Sequence, residues 1–349
     1  MTTQMRALVL KQDGYADKAG FVGNQLERPG DFLELREVPR PVPGPGQVLI
    51  KMRRAAVNPS DIAFVQGFYG QARVADTPAG FEGVGTVVDA GAGLMGKFLN
   101  GRDVGFYATP DGSGTWAEYA VTQAALALPL KKGVADRDAA GLIVNPVTAA
   151  AMLDMVGKGD AFVFSAAASQ LGKLIASLAR DQGKKMIALV RRDAPIETLK
   201  SLGAAHVLNE SSADYPKDLA QVLATEKPVI FLDAVAGANS AVVHQAMGNG
   251  ARWIIYGKLD TSPAEILDPS EMIFANKTVE GFWTTVWANK TSFLRKMRVF
   301  GEVQNRFRDG KWRTDVSAEL PLGSAMDRLA QALAQPDGKV QIVMSEGGA

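Results

Sequence analysis

Residues 161–183 read AFVFSAAASQLGKLIASLARDQG, and the junction inside this stretch decides the fold. Its opening, AFVFSAA (161–167), is a short apolar run of strand length. From Gln170 the rhythm changes. Leu171, Leu174, Ile175, Leu178 and Ala179 share one helical face, which predicts an amphipathic helix ending at Gly183. A strand, a turn of small residues and a helix open a βαβ unit. Small residues there let backbone amides approach a pyrophosphate at a helix N-terminus, whose dipole favours anions. Ala167 and Ser169 stand where two glycines of a GxGxxG turn would be, and only Gly172 remains. Ala167, Ala168, Ser169, Gln170, Leu171 and Gly172 are the candidate phosphate turn. A strand–helix turn without any ligand fits the same letters.

Working outward, KMIALV (185–190) reads as a second strand and PIETLKSLG as a second helix, with Pro195 suited to a first helical position. AHVLN, PVIFLDAV and ARWIIYG supply three more strands, with YPKDLAQVLAT and an Ala-rich stretch after Gly237 between them. Such alternation predicts a parallel sheet with crossover helices. About twenty residues beyond the turn, an NAD enzyme offers an acid to the ribose hydroxyls and an NADP enzyme offers cations. Arg191 and Arg192 stand there, and their guanidinium forks suit a 2′-phosphate. Asp193 follows at once and points the other way, and two solvated arginines at a strand end have the same sequence. NADPH is the expected cofactor, with NADH as the alternative.

Before residue 128 the pattern differs. Short apolar runs such as RALVL, VLIKMRRAAV and VGTVVDAGAG alternate with Gly and Pro turns, which predicts an irregular all-β domain. The last part holds a long amphipathic helix around SFLRKMRVFGEVQNRF and a terminal strand, KVQIVM, which suggests a return to the first domain. The expected divisions are 1–128, 129–280 and 281–349. A chain of 349 residues exceeds what one hydrophobic core usually supports.

Composition excludes several classes of chemistry. There is no cysteine, so no disulfide and no cysteine-ligated zinc or iron–sulfur site exists. The two histidines, His206 and His244, have no metal-ligand spacing, and no metal is expected. Net charge near +1 offers no field for a nucleic-acid backbone. The start, MTTQMRALVLKQDGY, lacks the pattern of a secretory or organellar leader, and no apolar stretch reaches membrane-spanning length. A cytoplasmic protein with a small-molecule substrate is the expectation.

NPSDIAFVQGFYG (58–70), GFEGVGTVV (80–88), GRDVGF (101–106), GTWAEY (114–119), NPVTAA (145–150), IIYG (254–257) and GFW (281–283) follow one another in an order that resembles the medium-chain dehydrogenase/reductase superfamily. The resemblance spans nearly the whole chain and implies a GroES-like catalytic domain beside a Rossmann domain. Zinc-dependent alcohol dehydrogenases of that superfamily use Cys and His ligands missing here. The motifs are more similar to its zinc-free branches, the quinone reductases and 2-enoyl thioester reductases. The resemblance implies direct hydride transfer to an activated C=C, with quinone reduction as the alternative and a non-catalytic NADPH-binding module as a reading of another class. It also implies a homodimer.

By the same resemblance, Tyr69 of the QGFYG loop is the acid or substrate-orienting hydroxyl, Asn58 begins the loop at the cleft, and Thr148 lies near the nicotinamide. Tyr256, Gly257, Phe282 and Trp283 line the cofactor channel. Each residue also has a plain structural reading: an aromatic packing in a loop for Tyr69, a helix N-terminal contact for Thr148, core for Phe282 and Trp283. Asp61 fits a turn-fixing carboxylate, and Glu82 a buried structural one.

Overall fold

A computed structural model describes residues 3–17, 23, 25–108, 113–335 and 338–344. In chain order the first elements are β1 (Gln4–Leu10), β2 (Leu33–Pro39), β3 (Gln47–Val57), α1 (Pro59–Gln66), β4 (Glu82–Ala90), α2 (Leu94–Leu99), β5 (Asp103–Tyr107), β6 (Tyr119–Gln123), β7 (Ala127–Pro129) and α3 (Asp136–Ala139). Then helices and strands alternate: α4 (Val144–Leu153), β8 (Ala161–Phe164), α5 (Gln170–Asp181), β9 (Lys185–Val190), α6 (Ile196–Leu202), β10 (His206–Asn209), α7 (Tyr215–Glu226), β11 (Ile230–Asp233), α8 (Ala238–Ala246), β12 (Arg252–Ile255), α9 (Ser270–Phe274) and β13 (Thr278–Gly281). The chain ends with α10 (Thr284–Lys290), α11 (Phe293–Arg308), β14 (Val316–Pro321), α12 (Ala325–Leu333) and β15 (Lys339–Val343).

The chain divides into two compact units, Met1–Val144 with Phe300–Ala349, and Asn145–Val299. In the first, β1 pairs with β2, and a second sheet runs β14-β15-β3-β4-β5-β7 with β6 also on β3. The terminal strand β15 lies antiparallel on β3, Val340 opposite Val57. Leu8, Ile50, Phe106 and Trp116, all fully buried, fill its core. The expected breaks at 128 and 281 move to Val144 and Val299, and hydrogen bonding explains both shifts. Residues 129–144 stay with the first unit because the Leu130 amide donates to Asp103 (2.9 Å) and the Glu82 carboxylate accepts the Ile143 and Val144 amides at 3.0 and 2.9 Å. Residues 281–299 stay with the second because Gly281 pairs with Ile255, Phe282 donates to the Ile255 carbonyl (2.8 Å), and Arg295 is ion-paired with Asp154.

The second unit is a doubly wound sheet in the order β10-β9-β8-β11-β12-β13, with every pairing parallel. Its central strands β8, β9 and β11 are buried apolar runs, as a parallel sheet covered on both faces requires. The order reverses between β8 and β11, and in such sheets ligands bind beyond the carboxyl ends of the strands at that reversal. Pro195 sits at the N-cap of α6 rather than in its first turn; its carbonyl receives the Leu199 amide at 3.0 Å. The sequence reading missed β13, the edge strand, because Thr278–Gly281 is a short and mostly exposed stretch.

Candidate active site

The candidate phosphate turn lies at the carboxyl end of β8. Ser169 caps α5, its hydroxyl accepting the Gly172 amide at 3.2 Å. Gly172 is required by contact: a Cβ there would sit 2.2 Å from the Ala167 carbonyl oxygen, so helix and strand approach too closely for any side chain. Ala166 and, at the matching end of β11, Ala236 both adopt φ 51°, a left-handed conformation that disfavours residues with a Cβ. The small side chains of 166–169 and the helix N-terminus make a cradle that fits a dinucleotide pyrophosphate.

Asp233, fully buried where β11 ends, organises this turn from the next strand. Its carboxylate accepts the Ser165 hydroxyl (2.5 Å), the Trp253 indole N–H (2.8 Å), and the Val235 and Ala236 amides (2.9 and 3.0 Å). Ser165 accepts in turn from the Ala234 amide at 2.9 Å. Neither Ser165 nor Asp233 was singled out in the sequence, although FSAA and FLDAV each carried one polar residue at a strand end.

At the end of β9, Arg191 is exposed and Arg192 half-buried. The positive charge of Arg191 bears on Glu210 and Asp260. Burial raises the Glu210 carboxyl above its ordinary range, with Asn239 donating to it and to the Tyr215 hydroxyl (3.0 Å). Asp193 is engaged by the Asn209 amide group at 2.7 Å. Tyr256 stacks on Phe164 with centroids 5.8 Å apart, and burial beside Asp233 pushes its phenol well above the usual range. Gly257 lies against β11, where a Cβ would be 3.0 Å from the Ala234 carbonyl oxygen. Lys258 donates to the Ala236 carbonyl at 2.9 Å and also to that of Ser262.

Thr148 and the 281–284 segment come together. The hydroxyls of Thr148, on α4, and Thr284, at the start of α10, lie 2.6 Å apart. Beside them a groove of about 290 Å³ is lined by Ala151, Met155, Phe282, Trp283, Val286 and Trp287.

In the first unit, Asn58 precedes α1 and is buried. Both ends of its carboxamide are engaged: Nδ2 donates to Glu82 at 2.9 Å, and Oδ1 accepts from the Lys339 ammonium. Asp61 accepts the Asn58 and Phe81 amides at 2.7 and 2.8 Å. Desolvation, against those bonds, pushes its carboxyl up to about 7, and it lowers the Lys339 ammonium. The loop after α1 turns at Gly67 (φ 86°), where a Cβ would meet the Arg73 guanidinium at 2.7 Å. Buried Arg73 donates to Gly14, Gln12 and Val65 at 2.9–3.1 Å and so fixes this loop. Tyr69 follows, half-buried, its ring 5.1 Å from that of Phe81. Phe81 also meets Phe64 at 5.0 Å and stacks on Tyr107 at 5.8 Å.

Two family models match the chain: the alcohol dehydrogenase GroES-like domain over residues 44–132 and the zinc-binding dehydrogenase over residues 171–297. A mitochondrial enoyl-acyl-carrier-protein reductase of Arabidopsis thaliana is 30% identical over 274 residues, covering 76% of this chain and 71% of its own. The chain belongs to the medium-chain dehydrogenase/reductase superfamily. Within the superfamily it stands with the quinone and enoyl thioester reductases. A solved structure from Mesorhizobium loti, provisionally named an NADPH:quinone reductase, is 46% identical with a TM-score of 0.93, covering 98% of this chain and 99% of its own. The Candida tropicalis mitochondrial 2-enoyl thioester reductase heterodimer shares the fold, at 22% identity and a TM-score of 0.77 over 98% of this chain and 100% of its own.

The second model's description implies zinc, and the donors present do not fit it. The chain has no cysteine. His206 is bonded to Glu226 at 2.9 Å, and buried His244 packs 5.5 Å from Trp253. Among the described residues no three His, Asp or Glu side chains gather as a ligand set. Among them, too, no helix is long and apolar enough to cross a membrane.

Proposed function

We propose that this chain is an NADPH-dependent, zinc-independent reductase that adds hydrogen across an activated C=C conjugated to a carbonyl, as in an enoyl thioester or an enone. The reading is carried by one observation: Tyr69 holds its ring against Phe81 on a loop fixed by Arg73 and the α1 cap. When bound, the reduced nicotinamide supplies a hydride to the β-carbon of the acceptor. Negative charge then builds on the conjugated carbonyl oxygen, and the α-carbon needs a proton. The Tyr69 hydroxyl donates a hydrogen bond to that oxygen or delivers the proton; such a positioned donor is effective because it needs no reorganisation. The turn at Ala166–Gly172 receives the pyrophosphate, and Arg191 and Arg192 receive the 2′-phosphate. Thr148, Tyr256, Gly257, Phe282 and Trp283 serve the nicotinamide half. With its carboxamide committed, Asn58 supports the loop rather than touching substrate.

A second reading, an NADPH:quinone reductase, is favoured by the 46% identity to the Mesorhizobium loti protein. NADPH oxidation followed with a crotonyl thioester, a simple enone and a naphthoquinone separates the two. Turnover of the unsaturated carbonyl compounds is expected. Activity confined to the quinone would establish the second reading, and tight NADPH binding without turnover would make the chain a non-catalytic module. We also infer a homodimer, supported by β13, which ends its sheet with Val279 partly exposed beside exposed Ile273 and Phe274. Sedimentation should give twice the chain mass.

A further inference from the structure

Lys339 is a buried ammonium in the first unit whose place the proposed reaction leaves unexplained. It opens β15, at the far end of the chain from Asn58, and only 6% of it is exposed. Burying an ammonium is unfavourable unless opposite charges and acceptors surround it. Lys339 has both: it donates to Asn58 Oδ1, and the carboxylates of Glu82 and Asp61 supply compensating charge. Gly141 closes over the pair, an added Cβ there lying 3.7 Å from Lys339 Cε and 4.0 Å from Glu82 Oε1.

From this centre a run of short contacts leads to Tyr69. Glu82 grips the Asn58 carboxamide, Asp61 bonds the backbone of both Asn58 and Phe81, and the Phe81 ring bears on Tyr69. The Asn58–Glu82 and Asp61–Phe81 bonds join the start of α1 to the Phe81–Glu82 segment, and Lys339 ties Asn58 to β15. An apolar residue at 339 would leave the Glu82 carboxylate without its cation and Asn58 Oδ1 without its donor. The least disruptive relief is for α1 and the Phe81 segment to separate slightly, and that moves the ring behind Tyr69.

We propose that Lys339 is a positioning residue for the Tyr69 hydroxyl, acting through Asn58, Glu82, Asp61 and Phe81. This rests on Tyr69 being the hydrogen-bond donor of the reaction. Its test is a double-mutant cycle of Lys339→Met with Tyr69→Phe in the full-length enzyme, reading kcat, KM and NADPH affinity. Small displacements of a reacting group lower rates by up to about a hundredfold, so Lys339→Met should cut kcat by about ten- to a hundredfold with NADPH affinity unchanged. Lys339→Arg, which keeps charge and donor, should recover part of that loss. In the Tyr69→Phe background Lys339→Met should have almost no further effect.

Equal losses from Lys339→Met with and without the Tyr69 hydroxyl would overturn the proposal, as would unchanged kcat in the single variant. A fully active Tyr69→Phe enzyme is distinguishable from both, because it removes the role of Tyr69 itself and this inference with it. If Lys339→Met does not fold, the charge-balanced Lys339→Met/Glu82→Gln variant carries the same cycle.

Discussion

The rings of Tyr69 and Phe81 meet with centroids 5.1 Å apart and planes tilted by 40°. This contact sets the plane of the ring that carries the proposed donor hydroxyl. Tyr69→Phe keeps the contact and removes only the hydroxyl. Its kcat with an enoyl thioester should fall by about 10²–10⁴-fold with unchanged NADPH affinity. Steady-state kinetics and cofactor titration check this, and an unaltered kcat would refute the role.

Arg191 and Arg192 should account for the preference between coenzymes. Replacing both with Gln should weaken NADPH binding by about 1–3 kcal/mol, roughly ten- to a hundredfold, and leave NADH binding nearly unchanged. Five tryptophans provide the fluorescence for the titration. Equal losses for both coenzymes would show that the arginines do not read the 2′-phosphate.

Gly172→Ala places a methyl 2.2 Å from the Ala167 carbonyl oxygen, inside any permitted contact. Backbone must shift to accept it, at a cost of about 1–3 kcal/mol. Chemical denaturation should show that loss, and NADPH affinity should fall with it because the same carbonyl frames the turn proposed to receive the pyrophosphate.

The Asp61 carboxyl is pushed up to about 7 in the fold, mainly by desolvation, against about 4 in an unfolded chain. The folded state thus holds its proton more tightly. The corresponding stability is fully present below about pH 4 and is lost as pH rises through 7. Melting temperatures of Asp61→Asn and the native chain, compared between pH 5 and 8.5, should converge as pH rises. A constant difference across that range would argue against a titrating Asp61.

How much of this was legible depends on the range of the interactions. The central strands and the helix α5 of the second unit announce themselves because each buries an apolar run, as in AFVF and KMIALV, whose letters are local. The small-residue turn at 167–172 was readable for the same reason, since small residues at a strand–helix junction are a local constraint. The Asn58–Glu82–Lys339 cluster was not, because Lys339 bonds a residue 281 positions earlier. A buried lysine and a solvated one have the same letter. Asn58 was placed at the cleft by resemblance, and the structure spends both ends of its carboxamide on holding the loop.

Ala166 and Ala236 carry a further consequence. Each bends left-handed at a strand end without the freedom glycine would give, a strain of about 1–2 kcal/mol apiece. Both loops therefore have their shape before anything arrives. For the coenzyme proposed at the Ala166 turn, such a backbone needs less ordering on binding, so less of the affinity is consumed in shaping the host. Glycine at either place would relax the apoprotein and loosen its grip together.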